Sequence, residues 1–250
     1  MNAVRSLLVF LWIVVSVIPV GLALLVSSLF LKEDKLWWWF AAPWLRGAIA
    51  AARLVGRVDY RLHGEENLPS KEDMRRVILC PKHQSTWETF YFPSMTSHML
   101  AYVFKQELLK IPVFGWAMGR LNMIHIDRSK RQDAWNKVAE QGVVLMDKGK
   151  WIIMFPEGTR TERGSKGNYK TGATRLACAT NAYVIPIAVT SGRCWPRRSF
   201  WMIPGVIDVS IGEPIYAEGR QPEELMDEIE RWIETEMHRL DPGAYELAAA

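Results

Sequence analysis

Three rhythms of apolar and polar residues follow one another along the chain. From Ser6 to Leu31 no charged residue occurs. As a helix that run would reach about 39 Å at about 1.5 Å per residue, enough for a bilayer core of roughly 30 Å. It is longer than the apolar part of a signal peptide, about 7–15 residues, and no A-x-A site closes it, so the expectation is an uncleaved anchor. Pro19 and Gly21 sit in mid-run and predict a kink, which leaves a straight span and a one-leaflet insertion both open. Trp37, Trp38, Trp39 and Trp44 come next, with Arg46, Arg53 and Arg57 beyond them. That mixture suits a second segment in the headgroup region, and the competing expectation is an ordinary buried helix.

After Arg57 the pattern shortens. Val77 to Leu79, Tyr102 to Phe104, Met123 to Ile126, Ile152 to Phe155, Val184 to Val189 and Val206 to Ile211 are apolar runs of strand length separated by helical patterns. This alternation predicts an α/β domain, a mostly parallel or mixed sheet covered by helices. Trp135, Val138, Gly142 and Leu145 mark one face of a helix after Asp133, with Gly149 placed to end it. Leu225, Ile229, Trp232, Ile233, Met237 and Leu240 recur at spacings of three and four, the third rhythm, and predict an amphipathic helix that packs on the domain. The layout is an N-terminal membrane anchor over residues 1–57 and a catalytic domain over 58–250.

Composition adds limits. At 250 residues and 49% hydrophobic, the chain can build one sizeable core. Cys80, Cys178 and Cys194 are odd in number and lack a metal-binding spacing, so they are expected to be reduced and facing the cytosol. Charge is unevenly placed: Lys105 to Arg198 holds seventeen basic and seven acidic residues, whereas Gln221 to Leu240 holds seven acidic and two basic. The middle of the chain therefore expects an anion or an anionic membrane. The bases flank strand ends and match no nucleic-acid motif, which argues against nucleic acid as a partner. Basic residues are denser after the first apolar run, which places the domain on the cytoplasmic side of the inner membrane.

Two segments carry candidate chemistry. Cys80-Pro81-Lys82-His83-Gln84-Ser85-Thr86-Trp87-Glu88 follows a predicted strand, so His83 should occupy the turn at its carboxyl end, where open α/β sheets place their sites. In a regular helix His83 and Glu88 would point about 140° apart, so contact requires a non-helical turn. In contact, Glu88 would hold one ring nitrogen and leave the other as a base for a hydroxyl. Alternatively, Ser85-x-x-Glu88 is a helix capping box. Phe155-Pro156-Glu157-Gly158-Thr159-Arg160 also follows a strand; backbone N–H groups opened by its glycine, with the fork of Arg160, suit a phosphate monoester, against a plain solvated turn. A metal hydrolase built on His83, His125 and Glu157 lacks any H-E-x-x-H-like spacing.

With these blocks in view, the chain resembles the glycerolipid acyltransferase family that includes 1-acylglycerol-3-phosphate acyltransferases. The resemblance rests on four blocks in the family's order: the His83 block, Ile126-Asp127-Arg128, Phe155 to Arg160, and Val184-Ile185-Pro186-Ile187. Lys105-x-Glu107-Leu108 and Lys170-Thr171-Gly172-Ala173 are similar to its intervening pieces. Glu88 stands where most of the family has aspartate, and His-Gln-Ser-Thr-Trp-Glu-Thr-Phe is similar to a bacterial subset. His125 stands where an apolar or aromatic residue is more usual.

The resemblance implies the family's α/β fold with N-terminal membrane-anchoring helices. It also implies acyl transfer from acyl-CoA or acyl-carrier-protein to the sn-2 hydroxyl of lysophosphatidic acid in a membrane, without cofactor or metal. His83 would be the base and Glu88 its partner. Arg128, Glu157, Gly158, Thr159 and Arg160 would hold the phosphate side of the acceptor, Glu157 by ordering the loop, and Lys105 would extend the basic surface. The alternatives are another lysolipid or glycerol 3-phosphate as acceptor, or a non-catalytic lipid-binding protein with the same fold.

Overall fold

Fully buried strands bury both faces, and the apolar run Val77–Pro81 does so: Val77 and Leu79 enter one core, Ile78 and Cys80 the other. The computed structural model describes residues 1–126 and 131–246. Its elements in chain order are α1 (Asn2–Ser27), α2 (Glu33–Leu36), α3 (Ala42–Leu54), β1 (Val58–His63), β2 (Val77–Pro81), α4 (Trp87–Met95), β3 (Leu100–Lys105), α5 (Phe114–Gly119), β4 (Ile124–Ile126), α6 (Arg131–Asp147), β5 (Trp151–Ile153), α7 (Gly172–Thr180), β6 (Tyr183–Val189), β7 (Gly205–Ile211), β8 (Ile215–Tyr216), α8 (Pro222–Leu240) and α9 (Pro242–Glu246).

The strands form one mixed sheet in the order β1-β7-β6-β2-β5-β3-β4, with β8 also on β6. All pairs along it are parallel except β6–β7 and β6–β8. The expected strands are present, joined by β1 and β8. In β1, Val-Asp-Tyr-Arg-Leu-His alternates apolar with charged residues, and the edge position explains why it carries them. The strand expected to reach Phe155 ends at Ile153, because the chain turns away at Phe155-Pro156.

One face of the sheet is covered by α6, α7 and α8, and on α6 and α8 residues of the predicted stripes are buried: Val138 and Leu145 on α6, and Leu225, Ile229, Ile233 and Met237 on α8. The other face is covered by the first 57 residues together with α4, so that Val9, Leu24, Leu36, Trp37 and Ile49 share one core with Leu79, Trp87 and Ile185. Trp37 is 2% exposed, and of the four tryptophans expected in the headgroup region Trp39 alone is exposed, at 61%. Trp37 and Trp38 join the core on this face, and Trp44 is half-buried against Ser16 of α1 and Phe90 of α4.

Between α2 and α3 the helix widens by one residue, with Ala42 N–H donating to the Trp37 carbonyl. Helix α1 lies along this layer. Ser6 Oγ accepts from Met202 N–H (2.8 Å), Trp44 Nε1 donates to Ser16 Oγ (2.9 Å), and a Cβ at Gly21 would sit 2.6 Å from Val113 Cγ1. Its opposite stripe, including Leu7, Leu11, Val15, Ile18 and Leu22, is exposed and apolar.

Candidate active site

The parallel strands β2 and β5 end side by side, and the chain leaves each of them in a polar turn. After β2 the turn runs from Lys82 to Thr86, and α4 begins only at Trp87, so His83 is outside the helix and the angular objection disappears. Glu88, in the first turn of α4 and 0% exposed, reaches back under it. Its Oε1 lies 3.1 Å from His83 Nδ1 and accepts the N–H groups of Gln84 (2.6 Å) and Ser85 (2.7 Å), while Ser85 Oγ accepts from Trp87 N–H (3.1 Å). The capping and the histidine-holding readings of Glu88 are therefore one structure. With Nδ1 given to Glu88, Nε2 is the nitrogen left to take a proton. Stacking on Phe155, with centroids 3.8 Å apart, fixes the plane of the ring.

The second turn holds the first by its backbone. The His83 carbonyl accepts from Thr161 N–H (2.7 Å) and Thr161 Oγ1 (3.1 Å), and His83 N–H donates to Glu157 Oε1 (3.4 Å). Gly158 takes a φ of +66°, and a Cβ there would approach Lys170 Nζ to 3.1 Å, so this turn requires its glycine. Glu157 is 2% exposed and points inward, 3.4 Å from Lys82 Nζ. Burial pushes its carboxyl up to about 7 against the opposing pull of Lys82. Glu157 does not line the cavity described next; its carboxylate is turned to the Lys82 ammonium and to the His83 N–H.

Gly158, Thr159, Arg160 and Lys105 line a cavity of about 730 Å³ that also contains the edge of His83. This is within the range of roughly 300–1,000 Å³ usual for ligand sites. Much of its wall is apolar, with Val17, Val20 and Leu24 of α1, Trp37, Trp44, Ala117 of α5 and Leu121 among the lining residues. Arg197 and Arg198 also line it, and neither belongs to a recognisable motif in the sequence. Their only signal was Arg-Arg beside the exposed Phe200 and Trp201, in a stretch with no strand or helix pattern. Arg198 holds a φ of +57°, an uncommon conformation for a non-glycine residue and one often kept at functional turns.

Arg128, with Asp127, lies outside the described residues. His125 is not part of the cavity; its Nε2 is 2.8 Å from Lys137 Nζ, and burial, then that lysine, lowers its pKa. Among the described residues no group of three His, Cys, Asp or Glu side chains is placed to hold a metal ion.

Comparisons with known proteins agree on what the chain is similar to. The sequence model of the Acyltransferase family matches residues 59–190. A 1-acyl-sn-glycerol-3-phosphate acyltransferase of Pseudomonas aeruginosa is 40% identical over 80% of this chain and 77% of its own length. The chloroplastic 1-acyl-sn-glycerol-3-phosphate acyltransferase BAT2 of Brassica napus is 31% identical over 71% of this chain, which spans half of that protein. In fold, the chain is similar to the crystal structure of the 1-acyl-sn-glycerophosphate (LPA) acyltransferase PlsC from Thermotoga maritima, with a TM-score of 0.78 over 96% of this chain and 98% of the other at 24% identity.

Proposed function

The chain belongs to the acyltransferase family, and from that premise we propose that it moves a fatty acyl group from acyl-CoA or acyl-carrier-protein to the sn-2 hydroxyl of lysophosphatidic acid, giving phosphatidic acid. The observation that carries the reading is the His83–Glu88 pair at the polar end of a large apolar cavity rimmed by Arg160, Arg197, Arg198 and Lys105. An acyl chain needs the first environment and a phosphate monoester the second. The names of both relatives support the acceptor.

His83 Nε2 takes the proton of the acceptor hydroxyl as that oxygen attacks the thioester carbon. Glu88 stabilises the imidazolium so formed. Collapse of the tetrahedral intermediate breaks the C–S bond, and the imidazolium returns its proton to the departing thiolate. Arg160 and Arg128 neutralise the acceptor's phosphate, with the backbone of Gly158 and Thr159 beside them. Residues 1–57 serve as membrane anchor and 58–250 as acyltransferase domain.

Helix α1 is long and apolar enough to cross a bilayer. It is packed on the domain from Ser6 to Leu24, so an upright span would drag Arg46, Arg197 and Arg198 toward hydrocarbon, at several kcal/mol each by the usual scales. In our reading it lies in one leaflet, the cytoplasmic leaflet of the inner membrane, its exposed stripe in lipid.

The test is to give purified full-length protein a panel of lysolipids with acyl-CoA and with acyl-carrier-protein thioesters. Phosphatidic acid should form fastest. Preference for a lysolipid that lacks a phosphate monoester, or no transfer to any, would overturn the proposal.

A further inference from the structure

Lys82 precedes the candidate base in the chain, yet its side chain runs the opposite way, into the protein. It is 0% exposed. Its ammonium donates to the carbonyls of Ser165 (3.1 Å) and Lys166 (2.6 Å) and to Glu234 Oε1 (2.6 Å), with Glu157 Oε1 at 3.4 Å. Tyr169 closes the group: its hydroxyl donates to the same oxygen of Glu234 (2.7 Å), and its ring lies 5.5 Å from Lys82 Nζ. None of Lys82, Glu234 and Tyr169 lines the cavity.

As a stabiliser this arrangement is a poor choice, because apolar groups of similar volume do as well as a buried ion pair or better. Its connections are more informative. Glu157 Oε1, beside Lys82, also accepts His83 N–H. Ser165 and Lys166 belong to the loop that starts at Thr161, whose N–H and hydroxyl both bind the His83 carbonyl. One ammonium thus holds both segments that grip the backbone of residue 83. The carboxylate that orients it comes from α8, outside the residues 59–190 that the family's sequence model matches.

We propose that Lys82, Glu234 and Tyr169 are positioning residues for acyl transfer, through which α8 sets where the His83 imidazole stands relative to the acceptor hydroxyl. Glu234 and Tyr169 fix the lysine, the lysine fixes Glu157 and the 161–170 loop, and these fix His83. The proposal rests on the reading of His83 as the base. A displacement of about 1 Å at a reacting group can cost about a hundredfold in rate, so small slack in this chain of contacts is enough to matter.

Glu234→Gln is the discriminating change, since it keeps size and one hydrogen-bond acceptor on the edge of a surface helix and removes the charge that orients Lys82. In the full-length protein, assayed well below its Tm, kcat should fall about tenfold or more with the KM for the acyl donor unchanged. Tyr169→Phe should lower kcat by a smaller factor. In spectra of protein carrying ¹⁵N-labelled histidine, with His83 assigned by its loss in His83→Ala, the ring resonances of His83 should shift in Glu234→Gln. A mere brace would lower Tm alone, so a folded Glu234→Gln with wild-type kcat and unmoved His83 resonances overturns the proposal. If the wild-type protein acylates no lysolipid, the functional reading fails by itself, and the resonance shift still decides whether α8 is coupled to His83.

Discussion

Two buried glutamates meet residue 83, one at its ring and one at its backbone, and they are held in different ways. Glu88 touches the ring; its Oε1 is met by His83 Nδ1 and by two backbone N–H groups at the start of α4, so nearly everything that holds it is main chain. Glu157 touches the backbone N–H; its counter-charge is a lysine side chain at 3.4 Å, and burial outweighs that lysine. Helix starts and tight turns offer N–H donors that no substitution elsewhere removes, so the carboxylate on the proposed base is the one whose support is built into the chain. The carboxylate that shapes the loop depends on side chains and is correspondingly easier to disturb.

Glu88→Gln attacks the first of them and should have the largest effect. The amide oxygen can still accept from Gln84 and Ser85, so Tm should change little. Without the negative charge, turnover should drop by orders of magnitude, by analogy with the roughly 10⁴-fold loss when a triad aspartate becomes asparagine. Near-normal kcat in the folded variant, with saturating donor and lysophosphatidic acid, would reduce Glu88 to a helix cap.

Glu157→Gln tests the second through stability. The carboxyl moves from an ordinary 4.5 to about 7 on folding, so the folded protein holds the proton more tightly. The resulting stabilisation is full below about pH 4.5 and is lost as the pH rises through about 7, on the order of 3 kcal/mol in all. Tm measured from pH 4.5 to 8 should decline less steeply in Glu157→Gln than in wild type. Parallel curves would show that burial does not perturb Glu157 as described.

Two smaller changes sharpen the contrast between chemistry and support. Arg160→Lys exchanges a bidentate fork for a point charge at the cavity rim, and should raise the acceptor KM about tenfold while leaving the donor KM alone. Thr161→Val removes one of two hydrogen bonds to the His83 carbonyl while the backbone N–H keeps the other. A loss of about 1 kcal/mol in stability and a few-fold in kcat is expected, checked by denaturant unfolding beside steady-state rates.

Much of this was legible in the residues. Strands β2 to β7 and helices α6 and α8 announce themselves through periodicity, since each buries a continuous stripe. The turn around His83 could be foreseen because a helical His83 and Glu88 would face apart while Pro81 and a polar run stood between strand and helix. The edge strand β1 is marked only by the alternation of Val-Asp-Tyr-Arg-Leu-His and holds no continuous apolar run of the kind that marks the other strands. Arg197, Arg198 and Lys82 share a different obstacle: their neighbours are distant in sequence, Lys82 meeting Glu234 across 152 positions, and local spacing holds no trace of such a contact. The tryptophan-rich segment stayed open between two readings for the opposite reason, because an aromatic belt and an aromatic core have the same composition.

Helix α1 leaves one apolar stripe exposed and gives Val17, Val20 and Leu24 to the cavity. With that stripe in lipid, as proposed, a lysolipid would pass between bilayer and site without crossing water. The enzyme's working concentration of acceptor is then a surface density. At constant total lysophosphatidic acid, diluting it with inert phospholipid in the vesicles should lower the rate, whereas diluting the whole suspension of vesicles with enzyme already bound should not.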